Sequence, residues 1–433
     1  MSHSSSGAPG GASPARRVAI TGIGVRAPGG ATTKDFWELI ASGTTATRTI
    51  SQFDAAGFRS RIAAECDFDP VAEGLSTQEI RRMDRVAQLA VAATREALAD
   101  GRIEGEFDPE RTGVSIGSAI GSTISLDREY QVLSNDGRQW LVDHRYASPH
   151  LWSYLVPTSL AAEVAWVAGA EGPAAVVSTG CTSGIESVAH AAQLIREGSA
   201  DVMLAGATDA PITPITVACF DAIKATTPRN DDPEHASRPF DATRNGFVLG
   251  EGSAMLVLEE LGHARARGAH VYAELAGFGV RANAYHMTGL RSDAPEMAAA
   301  IDVALAMAHR LPADVGYVNA HGSGTKQNDI HETNAFKCTL GDHAYEVPVS
   351  SIKSMVGHSL GAIGAIEIAA CALALEHGVV PPTANLHEPD PVCDLDYVPL
   401  VARRTPSLET VLTVGSGFGG FQSAMVLTKG DIR

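Results

Sequence analysis

Short, unbroken runs of apolar residues punctuate this chain. They fall at residues 17–25, 111–118, 174–179, 202–205 and 253–258, and again at 271–280, 315–320, 347–352, 411–415 and 424–427. The runs are rich in Val, Ile and Ala and do not alternate with polar residues, as expected of strands covered on both faces. Most end in a Gly-containing turn. Between them, residues 78–99, 184–197, 295–309 and 361–377 space their apolar positions as helices do. Strands covered on both sides, separated by helices, predict a layered α/β protein.

The pattern hints at duplication. In each half a strand runs into a turn of small residues that opens a helix: V-V-S-T-G-C-T-S-G-I-E-S at 176–187 and S-S-I-K-S-M-V-G-H-S-L-G-A at 350–362. The boundary is placed within residues 262–270. This gives a tail over 1–16, an N-terminal half over 17–265 and a C-terminal half over 266–433.

Composition narrows the function. At 433 residues and 45% hydrophobic, the chain can bury a large core. A formal charge of −17 argues against nucleic acid or an anionic membrane as partner. The six cysteines, Cys66, Cys181, Cys219, Cys338, Cys371 and Cys393, form no C-x-x-C pair or zinc spacing, so reduced thiols in a cytoplasmic protein are expected. Residues 1–16 are rich in Ser, Gly, Ala and Pro and lack the apolar segment of a signal peptide. The apolar stretch at 360–375 is interrupted by Glu367 and reads as a buried helix rather than a membrane span.

Three motifs resemble familiar signatures and part from them on context. Gly22-Ile23-Gly24-Val25-Arg26-Ala27 fits a dinucleotide fingerprint, but Pro28-Gly29-Gly30 follows where a helix should open, so a tight turn is expected. Gly357-His358-Ser359-Leu360-Gly361 fits a hydrolase elbow, with Glu376 and His387 as conceivable partners of Ser359, but both lie very close behind the serine. Gly415-Ser416-Gly417-Phe418-Gly419-Gly420 precedes a strand, which suits a loop whose N–H groups approach a ligand better than a phosphate cradle.

The chemistry-bearing residues gather at strand ends. Cys181 lies in Gly180-Cys181-Thr182-Ser183-Gly184, a strand-to-helix turn. A thiol there feels the positive end of a helix, which favours thiolate. The other five cysteines are expected to be small buried residues. His321 follows the run 315–320, His358 follows 347–352, and Lys353 lies five residues before His358. A metal site would need three or four ligands, and no carboxylate has supporting spacing. One thiolate and two imidazoles suit acyl transfer to sulfur followed by stabilisation of an enolate.

These motifs resemble the ketosynthase branch of the thiolase superfamily. The resemblance runs from Val18 to Leu427 and rests on S-T-G-C-T-S-G, N-A-H-G-S-G-T, S-S-I-K-S-M-V-G-H-S-L-G-A and G-S-G-F-G-G-F-Q-S-A. It is closer still to the ketosynthase alpha subunit (KS-alpha) of bacterial type II polyketide synthases, carried by A-C-F-D-A-I at 218–223, R-N-D-D-P-E-H-A-S-R-P-F-D at 229–241 and N-A-Y-H-M-T-G-L at 283–290.

The resemblance implies a five-layered α-β-α-β-α fold from two similar halves. It implies that Cys181 carries the growing chain, and that His321 and His358 assist decarboxylation of a malonyl thioester in a Claisen condensation. Lys353 would orient His358 and tune the field at the histidines, Glu332 would hold Lys353 or the histidines, and Phe418 would gate the cavity. The backbone N–H groups of Cys181 and Phe418 would form the oxyanion hole. No cofactor is expected on the chain itself; phosphopantetheine would arrive on an acyl carrier protein, with a chain-length factor as heterodimer partner. Antibiotic-type polyketide biosynthesis would be the setting. Arg81 and Arg82 are the candidate carrier-docking spot. The alternatives are an elongating ketosynthase of fatty acid synthesis, a non-catalytic scaffold like the chain-length factor, and a serine hydrolase through Ser359.

Overall fold

The computed structural model describes residues 16–430 apart from 104, 106 and 140. Its main sheet contains Val18–Arg26 (β1), Thr112–Gly117 (β2), Ala174–Val177 (β3), Val202–Asp209 (β4), Gly252–Glu260 (β5), Ala273–Ala282 (β6), Tyr317–Asn319 (β7), Val349–Ser350 (β8), Thr410–Gly417 (β9) and Phe421–Lys429 (β10). The spatial order is β8-β7-β9-β10-β6-β1-β5-β4-β2-β3.

That order is one five-strand pattern used twice. In the N-terminal half β1 pairs antiparallel with β5 and β5 with β4, then β4 runs parallel to β2 and β2 to β3. In the C-terminal half β6 pairs antiparallel with β10 and β10 with β9, then β9 runs parallel to β7 and β7 to β8. The two halves join where Ala19 and Ile20 of β1 meet Glu274 and Ala273 of β6.

Helices make the other layers. Arg85–Gly101 (α1) and Thr158–Ala168 (α2) cover the outside of the N-terminal half. Ser183–Arg196 (α3) and Ile363–His377 (α6) pack on each other between the two halves. Pro295–Met307 (α4) and Lys326–Leu340 (α5) cover the outside of the C-terminal half. The result is α-β-α-β-α. Helix α6 is apolar on every side because both of its faces meet sheet. The stretch Leu360–His377 is long and apolar enough to cross a membrane, yet 89% of it is buried inside the protein.

One expectation about local structure is met and another is corrected. The tight turn expected where Pro28-Gly29-Gly30 follows β1 is present, with Ala27 and Gly30 exchanging backbone hydrogen bonds of 3.0 and 2.9 Å, while Gly22 and Gly24 lie within the strand. A Cβ on Gly24 would lie 1.9 Å from the Ala93 carbonyl oxygen, so the glycines let α1 press directly on the strand. Gly279 of β6 repeats the device, where a Cβ would lie 2.1 Å from the Ala300 oxygen of α4. The G-x-G is therefore a packing signature of the duplicated fold. The single helix expected over 78–99 is two, Thr77–Arg82 and α1. Asp84 interrupts it, because its carboxylate caps α1 at Val86 N (3.0 Å) and also accepts from Ser125 N (2.6 Å).

The tail expected over 1–16 lies outside the described residues except for Arg16, which pairs with Asp201.

Candidate active site

The thiol turn is built by Gly180 and Ser183. Gly180 adopts φ 62°, and a Cβ there would come within 3.1 Å of the Phe418 carbonyl oxygen. Ser183 Oγ accepts from Thr179 N (2.9 Å) and donates to Gly180 O (2.6 Å), which closes the turn around Cys181. The 415–420 loop can then lie against the thiol. Cys181, His321, His358 and Phe418 line one cavity of about 410 Å³, with Phe220 and Phe247 among its walls.

The thiol is not pre-ionised. Helix α3 starts only at Ser183, and Thr182 before it makes no side-chain capping bond. Burial pushes the Cys181 thiol up to about 12, while the Lys353 charge and the N–H groups of Phe418 and Cys181 pull the other way. The expectation of a helix-stabilised thiolate is thus corrected, because desolvation outweighs the Lys353 charge and the two N–H groups. The involvement of those two N–H groups places two donors at the sulfur.

His321 follows β7. Glu332 of α5 accepts from the backbone N–H of His321 and of Gly322, each at 2.6 Å, and from Asn328 Nδ2 at 2.7 Å. It braces the turn that carries His321 and does not bind Lys353, contrary to one of the roles expected for it. Its burial pushes the carboxyl up to about 8.

His358 follows the single helical turn Lys353–Val356 and Gly357, at φ 68°. The Leu360 N–H donates to His358 Nδ1 at 3.1 Å. An Nδ1 that accepts must lack a proton, so in the neutral ring the hydrogen sits on Nε2. The two imidazoles stand edge to face with centroids 5.1 Å apart. Burial, and after it the positive charge of Lys353, holds both well below the ordinary histidine range, so both are neutral.

Lys353 acts through that field. Its Nζ donates to Glu367 Oε1 at 2.5 Å, with the two side chains only 1% and 0% exposed. The expected orienting contact from Lys353 to His358 is replaced by the Leu360 N–H. Burial pushes Glu367 up to about 7, against the pull of Lys353. The sequence carried a signal for this partner, since Glu367 is the one charge within an otherwise apolar helical stretch.

Phe418 is 40% exposed, and its ring lies 6.4 Å from that of Phe220 at the cavity. Gly419 (φ 94°) and Gly420 (φ 87°) follow it in conformations open to glycine.

Other candidates are not brought to this cavity. Ser359 is 1% exposed and its Oγ has no hydrogen-bond partner, Glu376 faces His270 at 3.5 Å, and the His387 ring lies against His235 at 6.3 Å. No hydrolase triad forms from them. Of the two arginines expected as a basic spot, Arg82 is committed to Glu163 by bonds of 2.8 and 2.7 Å and lies over Trp166, while Arg81 is exposed. Lys224 and Lys326 line the cavity that holds Cys181. Cys219 and Cys338 are exposed, in contrast to the burial expected of them.

Comparison with known proteins agrees with this geometry. Residues 15–264 match the beta-ketoacyl synthase N-terminal domain and residues 272–387 the C-terminal domain. The chain is 67% identical to the oxytetracycline polyketide beta-ketoacyl synthase 1 of Streptomyces rimosus, over 96% of this chain and 97% of the relative. It is 66% identical to the tetracenomycin polyketide synthase ketoacyl synthase alpha subunit of Streptomyces glaucescens, with the same coverage. To a 3-oxoacyl-[acyl-carrier-protein] synthase 2 of Coxiella burnetii it is 41% identical, over 96% of this chain and 99% of the relative. Among solved structures, a type II PKS acyl-carrier protein in complex with its ketosynthase bound to the hexaketide matches with TM-score 0.90 and 37% identity, over 96% of this chain and all of that one. The ishigamide ketosynthase/chain length factor matches with TM-score 0.89 and 33% identity, again over 96% of this chain and all of that one. The chain therefore belongs to the beta-ketoacyl synthases, and among them to the ketosynthase alpha subunits of type II polyketide synthases.

Proposed function

We propose that this chain elongates a polyketide by decarboxylative Claisen condensation, with Cys181 as the acyl carrier and His321 and His358 as the enolate-stabilising pair. The observation that carries this reading is a neutral imidazole pair beside a thiol, with His358 protonated on Nε2. In the first half-reaction Cys181 Sγ attacks the thioester carbonyl of an acyl chain. The N–H groups of Cys181 and Phe418 receive the oxyanion, and the leaving pantetheine thiol takes the proton. In the second, a malonyl thioester lies with its carbonyl toward the histidines. Its carboxylate leaves as carbon dioxide, and the electron pair passes into an enolate. The enolate carbon attacks the acyl-Cys181 carbonyl, and collapse leaves a 3-ketoacyl thioester on the carrier and expels Sγ as thiolate, which takes a proton from solvent to restore the thiol. Neutral N–H donors suit this step because the charge they stabilise develops only in the transition state; one such donor is worth about a hundred- to a thousand-fold in rate.

The chain holds no cofactor for this chemistry in our reading; phosphopantetheine comes in on an acyl carrier protein. An acidic carrier would meet Lys224 and Lys326 at the cavity. The second partner is a chain-length factor, as in the ketosynthase/chain length factor structure matched above. Support comes from β3, which ends the sheet with one edge unpaired, and from Trp152, Leu155 and Trp166, each at least 66% exposed on the same half. We place the complex in the cytoplasm.

The test is carbon dioxide release from malonyl-loaded carrier by the complex with its partner subunit. His321→Ala and His358→Ala should each lower release by about a hundred-fold or more while Cys181 still accepts an acyl group. Unchanged release in both variants would remove the histidines from the reaction.

A further inference from the structure

The N-terminal half lends one carboxylate to the catalytic turn of the C-terminal half. Asp209 ends β4 and is fully buried. Its Oδ1 accepts from Ser118 Oγ (2.7 Å) and Ile120 N (3.3 Å), and its Oδ2 from Ala119 N (2.9 Å) and Gly361 N (2.7 Å). All four donors are neutral. An ionised carboxylate can accept at all four places, whereas an amide would turn its NH₂ toward two of them. None of the four donors is a counter-ion, and burial pushes this carboxyl up to about 6.

What the charge holds is the turn after His358. A Cβ on Gly361 would lie 2.7 Å from Asp209 Oδ2 and 2.6 Å from Ala119 N, so only glycine lets the turn come this close. The preceding residue, Leu360, is 2% exposed and sits at φ 50°, a left-handed conformation that is strained for leucine. Leu360 in this conformation joins two peptide planes, one whose N–H donates to His358 Nδ1 and the next whose N–H donates to Asp209. Anchoring the next peptide N–H, that of Gly361, keeps Leu360 from relaxing. Ala119 and Ile120, held by the same carboxylate, pack in one apolar cluster with Leu360 and Cys181.

We propose that Asp209 is a positioning residue for His358: it clamps the strained Leu360 turn and so keeps His358 as the tautomer that donates from Nε2 into the cavity. The proposal rests on the condensing role assigned to His358 above. It bears on condensation more than on acylation, because the N–H groups of Cys181 and Phe418 receive the acylation oxyanion and the Asp209 charge acts on the Cys181 thiol only by raising it, so that its loss does not slow acylation.

The test measures both half-reactions in the complex with the partner subunit. Asp209→Asn keeps the size but turns an NH₂ toward two of the four donors. It should lower the turnover of carbon dioxide release from malonyl-carrier by about 30- to 100-fold with little change in KM, and leave acylation of Cys181 within about threefold. Ser118→Ala, which removes one of the four donors and also the acceptor for Gly121 N, should lower release by about three- to tenfold, again without slowing acylation. Adding Leu360→Gly to Asp209→Asn should recover part of the loss, because glycine adopts φ 50° without strain. Equal losses in both half-reactions, or no loss of release in either variant, would overturn the proposal. If His358→Ala itself releases carbon dioxide normally, the reading of the site fails first; if His358→Ala is inactive and Asp209→Asn is not, only the clamp fails.

Discussion

The sharpest consequence of the geometry concerns the resting thiol. Moving Cys181 from an ordinary 9.0 to about 12 makes its thiolate rarer by about a thousand-fold, equivalent to about 4 kcal/mol. At pH 7 about one molecule in 10⁵ then carries the thiolate, against about one in 100 for an unshifted thiol. The perturbation is pH itself. With iodoacetamide and intact-mass detection, the rate of alkylation at Cys181 should rise about tenfold per pH unit from 6.5 to 9.5, with no plateau. A Cys181→Ala sample subtracts labelling at the exposed Cys219 and Cys338. Lys353→Met should slow alkylation further, since the Lys353 charge is among the influences lowering this thiol. A plateau below pH 8 would refute the reasoning, because it would mean that the helix terminus and Lys353 together outweigh burial. The functional corollary is a nucleophile that loses its proton only as the acyl thioester is attacked, and so stays unreactive between turnovers.

Two further predictions concern stability. Glu367→Gln leaves the buried Lys353 ammonium without its counter-ion and should cost about 3–5 kcal/mol in urea unfolding, whereas replacing both with apolar residues should cost far less; a loss below about 1 kcal/mol in the single variant would show the pair to be unimportant. Gly24→Ala drives a Cβ to 1.9 Å from the Ala93 oxygen and should destabilise by several kcal/mol or prevent folding, and normal stability would mean that α1 does not press on β1 as described.

The fold was legible where burial on both faces leaves an unmixed apolar run. Strands β1, β4, β5 and β9 announce themselves for that reason, and α6 by being apolar all round. The helix break at Asp84 was not legible, because an aspartate that caps Val86 N looks like any polar residue of a helical stretch until Ser125, 41 residues away, is brought to its other oxygen. Gly22 and Gly24 were visible, but a glycine needed for a turn and one needed for close packing look alike until the partner helix is placed.

At the site, Cys181, His321, His358 and Lys353 could be singled out because each stands at a strand end or turn, and the structure gathers them around one cavity and its buried flank. What holds them was harder to see. Glu332 braces backbone N–H groups, and Glu367 reaches Lys353 from a helix 14 residues further on. The ionisation of Cys181 was misjudged because helix position can be read from a pattern, whereas desolvation depends on the whole fold.

The most direct test of the central claim is the intact mass of this chain after incubation with malonyl-loaded carrier protein and its partner subunit. The account predicts an acyl adduct that maps to Cys181 and disappears in Cys181→Ala. No adduct on the unaltered chain, while condensation product still accumulates, would contradict it.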